Sequence, residues 1–318
     1  MMLNYDWFLK FELPVFSNPQ PLATKVFALG SCFAREMAQK AHSLYLPFQF
    51  DPYGLSFDPF SLSLRLRIFE NGKGMRPSFK SGDLYMNYDA HGALSHPNEE
   101  EHTKQMEHAL QMGAQSFNES EGLIVTLGTA RTYLEKASGM PATNCHKQAA
   151  SLFDWRLSQS EALYNSLMPP LLNWLAQNPK RFVVFSVSPV RYVREGLVEN
   201  NRSKARLIEL AHSLCENLPN ANYFPAYELL IDVLRDYRFY ATDRVHPSTE
   251  AIDHISRLFF NWFYNQDATL ELVELQKLAN WEAHRSLHPD TTAHSKMLEN
   301  RQRLKESLRQ KHPNLNWH

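Results

Sequence analysis

The chain has 318 residues and a formal net charge of −1, with an isoelectric point near 6.9. That balance argues against nucleic acid as a partner and against attraction to an anionic membrane surface. The length is enough for one large core or two smaller ones, and no apolar run approaches the roughly 20 residues that a bilayer span needs, so no membrane insertion is expected. Cys32, Cys145 and Cys215 are the three cysteines. They lie far apart with no CxxC pair, which favours a reducing compartment and excludes the usual zinc spacing. The stretch Met1–Trp7 has no basic region leading into an apolar one, so the expectation is a cytoplasmic protein without a signal peptide.

Residues 1–24, with Pro14, Pro19 and Pro21, read as an extended lead-in packed on the first strand. Val26-Phe27-Ala28-Leu29 reads as a strand covered on both faces, closed by a turn at Gly30. Phe33, Met37, Ala41 and Leu44 then recur at helical spacing, giving a helix over Phe33–Leu46. Two Asp-Pro steps, Asp51-Pro52 and Asp58-Pro59, mark a second strand near Phe48 and a structured loop, with a helix over Phe60–Asn71. Residues 72–100 read as a mixed insertion near a site, followed by a polar helix over Glu99–Phe117. Leu123–Leu127 is the next buried strand, ending at Gly128. A loop carries Pro141–Lys147, and a long helix runs over Ser158–Gln177. Arg181–Pro189 is the fourth strand, Ser203–Asn217 a helix, Ala221–Tyr227 the fifth strand and Ser248–Phe260 a further helix. This alternation predicts a doubly wound parallel sheet, with ligands at the carboxyl ends of its strands, where Gly30, Gly128 and Pro189 fall. The residues from Gln266 onward read as an amphipathic helix and a second, polar one over Ser295–Gln310, forming an appendage packed on the core.

Two stretches carry chemistry. Ser31 and Cys32 sit where a helix begins, so free N–H groups and the positive end of the dipole would favour an anion, and a thiol there is expected to have a lowered pKa. The plainer alternative is a helix-capping serine beside a small buried cysteine. In Asp243-Arg244-Val245-His246-Pro247, the carboxylate lies three residues before the imidazole. That spacing lets it fix the ring tautomer and leave the other nitrogen facing a nucleophile. Its alternative is a turn-capping aspartate and a histidine satisfied by a backbone carbonyl.

Gly30-Ser31-Cys32-Phe33-Ala34 resembles the namesake pentapeptide of the GSCFA-domain proteins. Asp51–Pro59 is similar to that family's Asn-Pro-Phe-Gly loop, with Asp in place of Asn. Thr126–Ala130, Asn144–Lys147, Val187–Arg191, Asn200, Ser203–Ala205 and Asp236–Tyr240 resemble further blocks of it, over about residues 20–265. The family is in turn similar to the SGNH (GDSL-type) hydrolases, and the resemblance implies a three-layer α/β/α sandwich around a five-stranded parallel sheet of flavodoxin-like order. It divides the chain into a lead-in (1–24), an α/β domain (25–265) and a C-terminal helical extension (266–318).

Set against the superfamily's Gly-Asp-Ser block, Cys32 falls on the nucleophile and Ser31 on the aspartate. A shift of one residue in the turn would exchange them. Gly54 corresponds to an oxyanion donor. Gly128 opens a third block whose asparagine is missing, and Asn144 is the candidate replacement, with a turn residue bonding its own backbone as the alternative. Asp243 and His246 match the last block without departure. His146 and Cys145 adjoin Asn144, while His91 and His96 read as surface or hydrogen-bonded residues. Arg191, Asn200 and Lys204 follow the fourth strand, either as contacts to a substrate carboxylate or hydroxyl or as a solvated loop. The expected function is acyl-ester chemistry (esterase, thioesterase or O-acyltransferase) on a small or carbohydrate-linked acyl ester, with no metal or cofactor required. The alternatives are a catalytically degenerate ligand-binding domain and a thiol redox site at Cys32.

Overall fold

A computed structural model describes residues 9–288 and 290–317; the expectations for residues 1–8, Pro289 and His318 fall outside them. The chain runs β1 (Val26–Gly30), α1 (Cys32–Ser43), β2 (Phe48–Phe50), α2 (Pro59–Asn71), β3 (Phe79–Ser81), β4 (Leu84–Met86), α3 (Glu99–Glu119), β5 (Gly122–Leu127), β6 (Arg131–Glu135), β7 (Phe153–Leu157), α4 (Ser160–Ala176), β8 (Phe182–Val187), α5 (Leu197–Asn217) and β9 (Ala221–Tyr223). It ends with the short turn α6 (Ala226–Glu228), α7 (Thr249–Phe263), α8 (Gln266–Ala283) and α9 (Thr292–Lys311). Five strands form one sheet in the order β2-β1-β5-β8-β9, every pair parallel.

Alternating side chains divide the sheet between two cores, as the period of two requires. Val26, Ala28, Ile124 and Val184 join α1 and α7 on one face. Phe27, Leu29, Val125 and Phe185 join α2, α3, α4 and α5 on the other. The result is the three-layer α/β/α sandwich expected of the sequence. The C-terminal helices lie on the first face, where Leu272, Leu275, Leu278 and Leu308 are buried in the same cluster as Phe263. Before the sheet, Phe16 is buried between Phe182 and Phe263, with ring centroids 5.9 and 5.5 Å away.

Local signals set the helix boundaries. Asp58 caps α2 by accepting from the N–H groups of Phe60 and Ser61, Pro59 takes the first helical position, and Gly72 closes it with φ +62°. Besides the fifth strand, which ends at Tyr223 rather than Tyr227 because Ala226 opens α6, the sequence reading departs from the structure at three places. The loop expected before α4 includes the antiparallel hairpin β6–β7, and residues 72–100 include the smaller hairpin β3–β4. The third is α5, which begins at Leu197, directly after Gly196 at φ +87°. Asn200, Ser203 and Lys204 are therefore helical and buried.

Candidate active site

The turn from β1 into α1 admits only glycine at its corner. Gly30 has φ +127°, and a Cβ there would stand 2.2 Å from the carbonyl oxygen of Thr126 on β5. The next amide, that of Ser31, donates to the same oxygen at 3.1 Å. Ser31 is the residue before the helix, yet its side chain makes no capping bond. Its hydroxyl oxygen is buried without a hydrogen-bond partner among the described residues. Cys32 opens α1 and is only half-buried, with its amide among those that a helix start leaves unpaired. The expectation of a lowered thiol pKa is overturned: burial pushes the Cys32 thiol up, and this outweighs the opposing pull of Arg35. Cys32 thus needs a base to ionise at neutral pH.

An imidazole held by a carboxylate lines the same cleft as Cys32. Asp243 accepts from the N–H groups of Val245 (2.9 Å) and His246 (3.0 Å) through one oxygen, and its other oxygen lies 2.7 Å from His246 Nδ1. Arg244 turns the chain between them at φ +60°. The bond to His246, helped by the two backbone amides, holds the Asp243 carboxyl well below the usual carboxylate range. With Nδ1–H committed to a carboxylate, Nε2 carries the lone pair. The pair sits at the rim of the site with about half of each side chain exposed. Among the described residues no hydrogen bond joins His246 to Ser31 or Cys32. Both, however, line one cleft of about 500 Å³ with it, at the carboxyl ends of β1, β5 and β8. A wider groove between α1, α7 and α8 holds none of these groups.

The other expected residues divide. Gly128 lines the cleft, but its N–H donates to Phe57 O at 2.8 Å, and a Cβ would stand 2.9 Å from that oxygen. It lets β5 end against the loop before α2. Gly54 lies outside the lining, and its N–H is bonded to Asp51 O at 2.9 Å, which corrects the expectation that it faces an oxyanion. It has φ +91°, with His91 where a Cβ would be. Asn144 is in the lining, and its Oδ1 accepts from His146 N–H at 2.9 Å, the turn-residue alternative, which leaves Nδ2 as a donor. His146 is outside the lining, its Nε2 2.7 Å from Asn87 O, and burial lowers its pKa.

Arg191 lines the cleft, and its side chain is tied to neighbouring loops rather than solvated. Its amide donates to Val245 O (3.2 Å), and its guanidinium donates to Arg244 O (3.2 Å) and Tyr240 Oη (2.8 Å). It ties the loop after β8 to the one carrying His246. Asn200, buried on α5, accepts from Tyr192 N–H at 2.8 Å and so braces that same loop. Lys204 joins strand ends, its Nζ donating to Gly128 O (2.8 Å) and Ser188 O (2.7 Å).

Sequence reasoning missed much of the cleft's far side. Tyr133 and Trp155 enter it from β6 and β7, and Tyr192 and Arg194 from the loop after β8. The alternation Phe153-Asp154-Trp155-Arg156-Leu157 was the available signal. His91, read as peripheral, also lines the cleft. Among the described residues no three His, Cys, Asp or Glu side chains gather as a metal site would require. Nor is any described helix long and apolar enough to cross a membrane.

Residues 25–259 match the GSCFA family model. No curated protein matches the chain. Among solved structures, an acetyl xylan esterase from the rumen bacterium Butyrivibrio proteoclasticus is similar at 12% identity and a TM-score of 0.36, over 78% of this chain and 64% of that one. The chain therefore spans less than two thirds of that structure.

Proposed function

The chain belongs to the GSCFA family, and from that premise we propose that it carries out acyl-ester chemistry through Cys32, His246 and Asp243. The observation that carries this reading is that a half-buried thiol at a helix start and a carboxylate-oriented imidazole line the same cleft. Of the two candidate nucleophiles, Cys32 is favoured because the Ser31 hydroxyl oxygen is sealed from solvent. In the proposed reaction His246 Nε2 takes the thiol proton as Cys32 sulfur bonds to the acyl carbon. The carbonyl electrons move onto oxygen, which rests on the Cys32 N–H at the start of α1 and on Asn144 Nδ2. Collapse breaks the bond to the leaving alcohol or thiol, which departs with the proton from His246. Water or an acceptor hydroxyl, deprotonated by the same nitrogen, then releases the acyl group from sulfur. The substrate class is a small or carbohydrate-linked acyl ester.

The test is turnover of short-chain aryl esters and thioesters, with iodoacetamide and a fluorophosphonate used to map the reactive residue. Turnover abolished by Cys32→Ala and by His246→Ala, with the label on Cys32, supports the proposal. Absence of turnover on every acyl substrate counts against it. A second reading, a thiol redox site, draws on Cys145 lining the same cleft as Cys32. It predicts that peroxide oxidises the two thiols to a disulfide, itself being reduced to water, and that no acyl turnover accompanies this.

A further inference from the structure

The reactive groups occupy one end of the cleft. The other end is walled by rings and guanidinium groups that the proposed chemistry leaves unused. Tyr133 and Trp155 are cross-strand partners on β6 and β7, stacked with centroids 4.1 Å apart and planes 29° from parallel. Tyr192 adds a third ring 5.9 Å from Trp155. The wall is fastened across its two elements: Trp155 Nε1 donates to Glu195 at 3.1 Å, Arg194 donates to the Tyr133 hydroxyl, and Arg131 pairs with Glu199. The Arg131 guanidinium also lies 5.9 Å over the Trp155 ring.

The cationic partners of two ion pairs face the cleft: Arg131 and Arg194 belong to the lining, whereas Glu199 and Glu195, the latter 3.7 Å from Arg194, do not. Asp58, a carboxylate in the lining, is 5% exposed and bonded to Ser61, Thr132 and two backbone amides. The Arg194 side chain is 61% exposed, and Arg131 Nε is buried with no hydrogen-bond partner among the described residues. Flat apolar faces beside guanidinium donors recognise a ring and an acidic oxygen together.

We propose that this end of the cleft is a subsite for a ring bearing an acidic group, so that the preferred substrate is an ester of a small acyl group with a carboxylate-bearing ring alcohol. This rests on the acyl-ester reading and names its substrate class. The ring lies against Tyr133, Trp155 and Tyr192, its acid meets Arg194 and Arg131, and the ester carbonyl reaches toward Cys32.

The test compares matched substrates: acetylsalicylate with phenyl acetate, and an O-acetylated methyl glucuronoside with the same acetylated methyl glucoside. The first pair reports an aromatic ring and the second a sugar. The expected result is a kcat/KM at least about tenfold higher for the acidic member of one pair, as a charge-assisted hydrogen bond provides, with that ratio collapsing in Arg194→Ala. Equal rates within both pairs, or a preference that survives Arg194→Ala, overturn the subsite while leaving the acyl-ester reading intact. Calorimetric titration with salicylate and with methyl glucuronoside reads binding apart from turnover. Binding that Arg194→Ala abolishes, in a protein inactive on all four esters, supports the subsite and removes the acyl-ester reading. No binding of either ligand, together with no acidic preference, removes the subsite.

Discussion

At the scale of single residues, the site depends on how one imidazole is held. His246 gains its tautomer from Asp243, and its loop is fixed by Arg191, which bonds to Arg244 O, Val245 O and Tyr240 Oη. Arg191 lines the cleft but bonds to none of the atoms proposed to react, and we propose that it acts by positioning the His246 loop. Arg191→Lys cannot reproduce the forked donation, and we expect kcat to fall about tenfold with KM little changed, because a misplaced base weakens the transition state more than substrate binding. Steady-state kinetics on an aryl ester checks this, and a change confined to KM would instead make Arg191 a substrate contact. The Asp243–His246 pair was legible in the sequence because its partners are three residues apart. The role of Arg191 was not, since its contacts lie 49 and 53 residues away and no spacing rule reaches that far. The raised Cys32 thiol pKa escapes the sequence for a similar reason: the helix start is visible there, but the burial that raises the pKa is a tertiary property.

Among the elements, the strand ends are locked by buried polar ties. Asp51 and Arg65 form an ion pair with side chains 0% and 1% exposed, and the Asp51 carboxylate also accepts from Tyr53 N–H. Arg65→Met leaves that carboxylate buried and unpaired. The expected cost is about 3–5 kcal/mol, read by urea denaturation; a loss below 1 kcal/mol would contradict it. Lys204 ties β5 to β8, and burial pushes its amine down to about 7 from an ordinary 10.5. An uncharged amine still has two N–H donors for its two carbonyl acceptors. Between pH 7 and 10.5 the unfolded chain holds a proton on this lysine that the folded chain has released, so stability rises with pH across that window and is flat below it. Wild-type protein should gain about 2 kcal/mol from pH 7 to 9 relative to Lys204→Met, whereas parallel pH profiles for the two proteins would contradict this. The three central strands β1, β5 and β8 were legible from their apolar runs, whereas the short edge strands β2 and β9 carry no such run and β9 stops at Tyr223, short of the expected Tyr227. Hairpin β6–β7 was not legible because its strands lie either side of a Pro- and Asn-containing loop that dominates the local pattern, and only β7 alternates cleanly.

For the whole molecule, the two cores differ in how far along the chain they draw. The face covered by α1 and α7 is completed by Leu272, Leu275 and Leu278 of α8, which are 7%, 0% and 0% exposed. We propose that these helices belong to the same folding unit as the sheet. Each buried leucine contributes about 1.5–3 kcal/mol, a sum comparable with the stability of a typical domain, about 5–15 kcal/mol. A chain ending at Asn265 should therefore be insoluble or melt far below the full chain, and an unchanged melting temperature would show the extension to be dispensable. The reactive groups, by contrast, come from the first and last thirds of the α/β region, brought together because parallel strands place all their carboxyl ends on one edge.

The central claim is that Cys32 attacks an acyl carbon with His246 as its base. Mass-spectrometric mapping after brief exposure to p-nitrophenyl acetate and an acid quench reads this step directly. The account predicts an acetyl thioester on Cys32 in the wild-type protein and its near absence in His246→Ala. An acetyl group on Ser31 or elsewhere, or equal acetylation of Cys32 in the two proteins, would contradict it.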